Sequence, residues 1–296
     1  MTDFHPAPAS VPPPPAPVDP APAPDLLRVL MVGDVVGSPG RKAVRRILPG
    51  LRRELAADLV VVNAENSHDG RGVSLRAARE LRDSGADVLT GGNHTWDNPE
   101  VEQVLDDLDL HMARPLNMAP DAPGAGSVTL KVRGHDLTVL NLIGRVFMQP
   151  QDDPFRSADT FLANLRHAGP RPLVLVDFHA EATSEKQAMG WHLGGRVAAV
   201  VGTHTHVPTA DARVLPGGTG YVTDLGMVGP RDSIIGMAIA PSLRRFLSYR
   251  SSRLGVAEGE VAFNAVLVEI DPGSGACADI RRIDRLDPGE GRAPRP

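Results

Sequence analysis

Leu27-Arg28-Val29-Leu30-Met31-Val32-Gly33-Asp34 is the stretch on which the fold turns: an apolar run of strand length that ends in a carboxylate. Gly37, Pro39 and Gly40 mark a loop after it, and Val44, Ile47, Leu48, Leu51 and Leu55 then recur at helical spacing. The same unit returns. Leu59-Val60-Val61-Val62-Asn63-Ala64 ends at Glu65-Asn66, and the loop Asp69-Gly70-Arg71-Gly72 leads into a helix over 74–83. Ala86-Asp87-Val88-Leu89-Thr90 ends at Gly91-Gly92-Asn93-His94. The helix that follows spans 98–108, with Pro99 near its start, where a missing N–H costs little.

From 127 to 144 the rhythm changes. Val128–Val132 and Leu137–Leu142 flank Arg133-Gly134-His135-Asp136, the pattern of a hairpin. A helix over 157–167 then precedes Leu173-Val174-Leu175-Val176-Asp177-Phe178, which ends at His179. A helix near 184–190 precedes Val197-Ala198-Ala199-Val200-Val201-Gly202, which ends at Thr203-His204-Thr205-His206. Short strands near 219–223 and 262–270 close the domain. Alternating strands and helices with an antiparallel insertion predict an α/β sandwich: two packed sheets of mixed strand direction with helices outside.

Residues 1–25 are nearly all Pro, Ala, Val, Ser and Asp, a composition that neither continues a helix or sheet nor packs; they are expected to be a disordered extension. With neither a basic start nor an apolar stretch, they do not read as a signal peptide. A single domain over 26–287 and a frayed tail over 288–296 are expected. No run approaches the roughly 18 apolar residues of a membrane span. The lone Cys277 leaves no disulfide within the chain and no thiolate cluster, which suits a reducing cytoplasm and puts any metal on oxygen and nitrogen. A net charge of −5 argues against coating of extended nucleic acid, so an anionic substrate needs a local positive centre.

Five strand-like runs each end in a side chain able to bind a metal: Asp34, Glu65, Asn93, His179 and the pair His204/His206. In α/β sheets the carboxyl ends of strands face one crevice, where residues scattered from 34 to 206 can converge. His204 and His206, two apart, point to the same side if the backbone is extended, and can bind one metal jointly or two separately. Imidazole with carboxylate and amide oxygens, and no sulfur, suits two manganese, iron or zinc ions sharing a carboxylate. Two such ions outweigh Asp34 and Glu65, leave a positive centre for phosphate, and can generate hydroxide for in-line attack. His94 beside Asn93 is placed to give a proton to the leaving oxygen.

Taken singly, Asp34 is an ordinary loop carboxylate and Glu65-Asn66 an ordinary cap; the joint pattern carries the reading. His5, His111, His135, His167 and His192 read as solvated, and so does His68 despite its place after Glu65-Asn66. Gly37-Ser38-Pro39-Gly40 lacks the lysine of a phosphate-cradling loop and reads as turn chemistry. Arg145 reads as a surface ion pair.

At these residues the chain resembles the metallophosphoesterase superfamily, through Asp34, Gly92-Asn93-His94 and Gly202-Thr203-His204-Thr205-His206. It departs from that pattern in lacking a histidine two residues after Asp34 and in having Glu65-Asn66 where a second Asp is usual. Those departures resemble one branch, the YmdB-like phosphodiesterases. So do Gly33–Arg41, Asn63–Asn66, Gly92–Asp97, Asp152–Phe155, Asp177–Lys186, Val201–Val207 and Asp224–Pro230.

The resemblance covers about 27–286. It implies that Glu65 bridges two ions. Asp34 and His206, with Asn66 close by, hold one ion; Asn93, His179 and His204 hold the other; His94 is catalytic. It also implies two transition-metal ions (iron or manganese before zinc), hydrolysis of 2′,3′- or 3′,5′-cyclic nucleotides or similar small phosphodiesters, bacterial cytoplasm and a homo-oligomer. A phosphomonoesterase, a regulatory binding protein on the same fold and a nuclease on long RNA are the rival readings. The purpose of the 224–237 segment is not legible from sequence.

Overall fold

The computed structural model describes residues 25–248 and 254–289. All but the last residue of the expected extension, and 290–296 of the expected tail, lie outside them. In chain order the elements are β1 (Leu27–Val32), β2 (Asp34–Val35), α1 (Gly37–Glu54), β3 (Leu59–Asn63), α2 (Leu75–Asp83), β4 (Val88–Thr90), α3 (Val101–Asp106) and β5 (Met112–Ala113). Next come β6 (Ser127–Val132), β7 (His135–Ile143), α4 (Pro154–Asn164), β8 (Leu173–His179), α5 (Thr183–His192), β9 (Ala199–Thr203), β10 (Arg213–Leu215) and β11 (Thr219–Val222). The remainder is β12 (Met227–Pro230), α6 (Ile239–Ser248), β13 (Val261–Phe263), β14 (Ala265–Asp271), β15 (Ala276–Arg282) and β16 (Arg285–Asp287).

Two six-stranded sheets, ordered β15-β14-β1-β3-β4-β5 and β10-β11-β9-β8-β7-β6, form the sandwich that the alternation predicts. Strands β1, β3, β4 and β5 run parallel in the first sheet, as do β7, β8, β9 and β11 in the second, with antiparallel strands at the margins. The period-two geometry of a strand divides the core. Leu27, Val29 and Met31 of β1 pack between the sheets with Leu137, Leu175 and Val201. Leu30 and Val32 face the other way, onto Val44 and Leu48 of α1 and Leu81 of α2. Val174, Val176 and Phe178 of β8 likewise pack outward with Ala158 of α4 and Met189 of α5. Among the described residues, no helix is long and apolar enough to cross a membrane.

Several boundaries differ from expectation, each for a local reason. The loop expected at Gly37–Gly40 is already the first turn of α1: Gly37 enters it at φ +58°, and a Cβ on Gly40 would lie 2.3 Å from Val228 O. Helix α3 is shorter than 98–108. Asn98 Oδ1 caps Glu100 N (2.8 Å), and Asp107 turns extended and accepts from Asp109 N. Helix α4 begins three residues before the expected 157, because Asp153 accepts from Phe155 N and Arg156 N and Pro154 occupies the first turn. Strands β2, β5, β10, β12, β15 and β16 and helix α6 were not expected. Neither was a third, four-stranded sheet, β16-β13-β12-β2.

Candidate metal centre

The parallel strands of both sheets end along one edge, and the metal-type side chains lie at those ends. Asp34 stands on β2, just past β1, held by pairing with Met227 of β12. Glu65 follows β3, its own N–H capped by Asn63 Oδ1 (3.1 Å). Asn93 and His94 follow β4, His179 ends β8, and His204 and His206 follow β9. Asp34, Glu65 and His179 are fully buried.

Their ligand atoms gather in two overlapping groups, Glu65/His179/His204 and Asp34/Glu65/His206, each within 4.8 Å of one another. Glu65 belongs to both. Its Oε1 lies 3.1 Å from His179 Nε2 and accepts from Asn66 Nδ2 (2.9 Å), while Oε2 accepts from His94 N (3.0 Å). Asn93 Oδ1 meets His179 Nε2 at 2.9 Å. Asn66 turns its amide nitrogen to the centre, 3.1 Å from His206 Nε2, and in this orientation it is a donor.

The two histidines of the last segment do not lie on extended backbone. His204 has φ +102° and His206 φ +64°, so the shared-side argument fails. The rings diverge instead, one to each group of ligand atoms. The turn that carries them is tied down by a buried ion pair: Asp224 accepts from Lys186 Nζ (2.6 Å) and from Thr205 N (3.1 Å).

Outer partners determine which ring nitrogen faces inward. Thr203 donates its hydroxyl proton to Asp177 Oδ1 (2.6 Å), so its oxygen accepts from His179 Nδ1 (2.9 Å) and Nε2 points to the centre. His206 Nδ1 donates to Ile235 O (2.9 Å), again leaving Nε2 inward. His204 is reversed. Its Nε2 meets Glu181 Oε2 (2.9 Å), and Nδ1 lies 3.0 Å from His179 Nε2. Beside the centre, His94 Nδ1 contacts Asp97 Oδ2 (2.7 Å), which also holds Arg71 Nε (2.5 Å).

The electrostatics call for added positive charge. Burial pushes the Asp34 carboxyl upward, against the His206 and His179 rings. Burial opposes charge on Glu65 too, yet the His179 ring and His94 hold it below its usual range. Burial also works against charge on His179, but Glu65 and then Asp34 raise it to about 9. Burial and the neighbouring His179 take His204 down to about 3. The ion partners of both acids are histidines, and the buried Asp34 Oδ1 has no hydrogen-bond partner among the described residues. Two buried acids, an orphaned carboxylate oxygen and three inward imidazole nitrogens form a donor set that fits divalent transition ions.

Elsewhere, Arg145 makes the expected surface ion pair, with Asp153 (2.9 Å). His192 is not simply solvated: it bonds Asp159 (3.0 Å) and packs edge-on to Phe155. His68, His111, His135 and His167 join neither group of ligand atoms, and His5 lies outside the described residues. Sequence reasoning missed Asp97, Asp177, Glu181, Lys186, Thr203 and Asp224 as supporting residues. They lie within recognised segments, but nothing in a linear pattern pairs Lys186 with Asp224. The 224–237 segment now has a physical role, since it supplies Asp224, the β12 partner of Asp34 and the carbonyl that orients His206.

Comparison with known proteins places this architecture. The chain is 45% identical over 257 residues to the 2′,3′-cyclic-nucleotide 2′-phosphodiesterase of Bacillus subtilis, covering 87% of this chain and 96% of that protein. A crystal structure of a hypothetical protein from Thermus thermophilus is 43% identical with a TM-score of 0.83, covering 88% of this chain and all of the other. A phosphatase structure from Mycoplasma pneumoniae is 32% identical with a TM-score of 0.84, covering 90% of this chain and 96% of that one. Residues 30–283 match the model of one family, and with strand-end residues of this kind along the shared edge the chain belongs to the YmdB-like proteins.

Proposed function

We propose that this protein is a dinuclear metal-dependent phosphodiesterase acting on cyclic nucleotides, 2′,3′- or 3′,5′-cyclic, or on similar small phosphodiesters. The observation that carries the reading is the pair of ligand groups sharing Glu65, with the orphaned Asp34 oxygen between buried partners. The 2′,3′-cyclic-nucleotide activity named for the Bacillus subtilis relative supports the diester substrate.

Asp34 and His206 would hold one ion and Asn93, His179 and His204 the other, with Glu65 between them and Asn66 alongside. When bound, the ions supply Lewis-acid charge and a nucleophile at neutral pH. The chain's own residues do the rest. Asp177 and Thr203 hold the His179 ring in its inward tautomer, Glu181 and Ile235 O do so for His204 and His206, and the Lys186–Asp224 pair keeps the histidine turn closed. His94, its Nδ1 held by Asp97, carries a proton to the leaving oxygen from its other ring nitrogen.

The test is hydrolysis of bis-p-nitrophenyl phosphate against p-nitrophenyl phosphate after metal removal and readdition of manganese, iron or zinc. Diester turnover restored by metal, followed by turnover of a cyclic nucleotide, is the expected result. Monoester turnover alone would replace the reading with a phosphatase. Full diester turnover in the stripped protein would remove the metals from it.

A further inference from the structure

Phe147 is 88% exposed and has a φ of +62°. A non-glycine residue in that region is uncommon, and an aromatic ring left in water contributes little to folding. Its loop is nevertheless firmly pinned. Gly144 N donates to His179 O (2.9 Å), and the buried Glu185 carboxylate accepts from Arg145 N (3.1 Å) and Val146 N (3.2 Å). Arg145 is itself paired with Asp153, and a Cβ on Gly144 would lie 2.5 Å from that of Ala180. Phe147 is thus three residues past a backbone bond to His179, at most roughly 10 Å of chain.

The His206 side of the centre is also apolar. Val207, 58% exposed, directly follows His206. Ile235, 53% exposed with φ +48°, is the residue whose carbonyl orients the His206 ring. Both halves of the centre therefore carry an exposed apolar side chain on backbone that their packing alone does not explain.

We infer that Phe147 is the stacking face for the nucleobase of a nucleotide whose phosphate occupies the centre, with Val207 and Ile235 as further apolar surface on the His206 side. The inference rests on the phosphoesterase reading and adds to it the part of the substrate that the metal ligands cannot recognise. A single flat ring on a pinned loop, bordered by the Arg145–Asp153 ion pair, suits one planar ligand rather than a broad protein surface. Stacking tolerates every base, because each has a π-face. The platform therefore selects nucleotides over sugar phosphates without choosing among bases.

The test is calorimetric titration of the metal-loaded protein with adenosine 5′-monophosphate and with ribose 5-phosphate. The wild type should bind the nucleotide about 5- to 100-fold more tightly than the sugar phosphate. Phe147→Ala should bring that ratio near one with sugar-phosphate affinity unchanged, and Phe147→Trp should restore it. An unchanged ratio in Phe147→Ala, an equal loss on both ligands, or no binding of either by the wild type overturns the inference. An altered elution volume with the ratio intact also overturns it, reassigning the ring to a contact between copies. Diester turnover is scored on the same samples. Its absence in a wild type that still shows the ratio would defeat the hydrolase reading and leave the platform standing.

Discussion

Gly92 shows how little room the centre leaves. A Cβ there would lie 2.2 Å from Glu65 Oε2 and 2.5 Å from His179 Nε2, so a single methyl would press between two candidate ligands. Both are buried and held on their far sides, His179 by Thr203 and Glu65 by Asn66 and His94, and neither can step back. Gly92→Ala is expected to fold, by circular dichroism, and to lose most of its bound metal by elemental analysis; full metal content would show that the ligands yield. His94 is the opposite case: among the described residues its bond to the centre is through its backbone N–H to Glu65. His94→Ala should keep its metal and lose turnover by roughly 10²–10⁴-fold, the scale of a positioned acid–base group. Undiminished turnover would remove His94 from the mechanism.

Among the elements, α4 is the clearest case of a local signal setting a boundary. Asp153 accepts from two free N–H groups of the first turn, and Pro154 fits where no donor is needed. The helix amides pull the Asp153 carboxyl below its usual range, against the opposing effect of burial, and Arg145 adds to them. A depressed folded-state pKa means that this stabilisation is present above about pH 4, the unfolded value, and is lost as pH falls through the folded one. Asp153→Ala should therefore cost about 1 kcal/mol by urea unfolding at pH 7. The difference from wild type should shrink as unfolding is repeated toward pH 3; a constant gap would assign the loss to packing. The histidine turn after β9 is an element of the other kind. Its two positive-φ histidines flank Thr205, whose N–H donates to Asp224 19 residues on, and His206 bonds Ile235 29 residues on, so no local pattern announces them.

Over the whole molecule, the candidate ligands join the two sheets. Glu65 and Asn93 follow strands of the first sheet, Asp34 lies on β2 of the third sheet just past β1, and His179 ends, while His204 and His206 follow, strands of the second. Ions bound there would tie the sheets together in the folded state only. Chelation should lower the melting temperature by about 5–10 °C, from about 2.7 kcal/mol at a hundredfold excess of metal over Kd and about 2–4 °C per kcal/mol at this chain length. An unchanged melting temperature would mean that no ion binds the folded state in preference to the unfolded chain. Much of this was legible in the linear chain. Apolar runs of strand length, each ending in Asp34, Glu65, Asn93, His179 or His204, determined the layered α/β architecture and the edge where the chemistry gathers, because strand burial and strand-end exposure are properties of consecutive residues. What only the tertiary structure decided was the third sheet, the ring nitrogen each histidine turns inward, and the pairing of Lys186 with Asp224. Those depend on contacts between residues distant in the chain, whose side chains meet only after both sheets have packed.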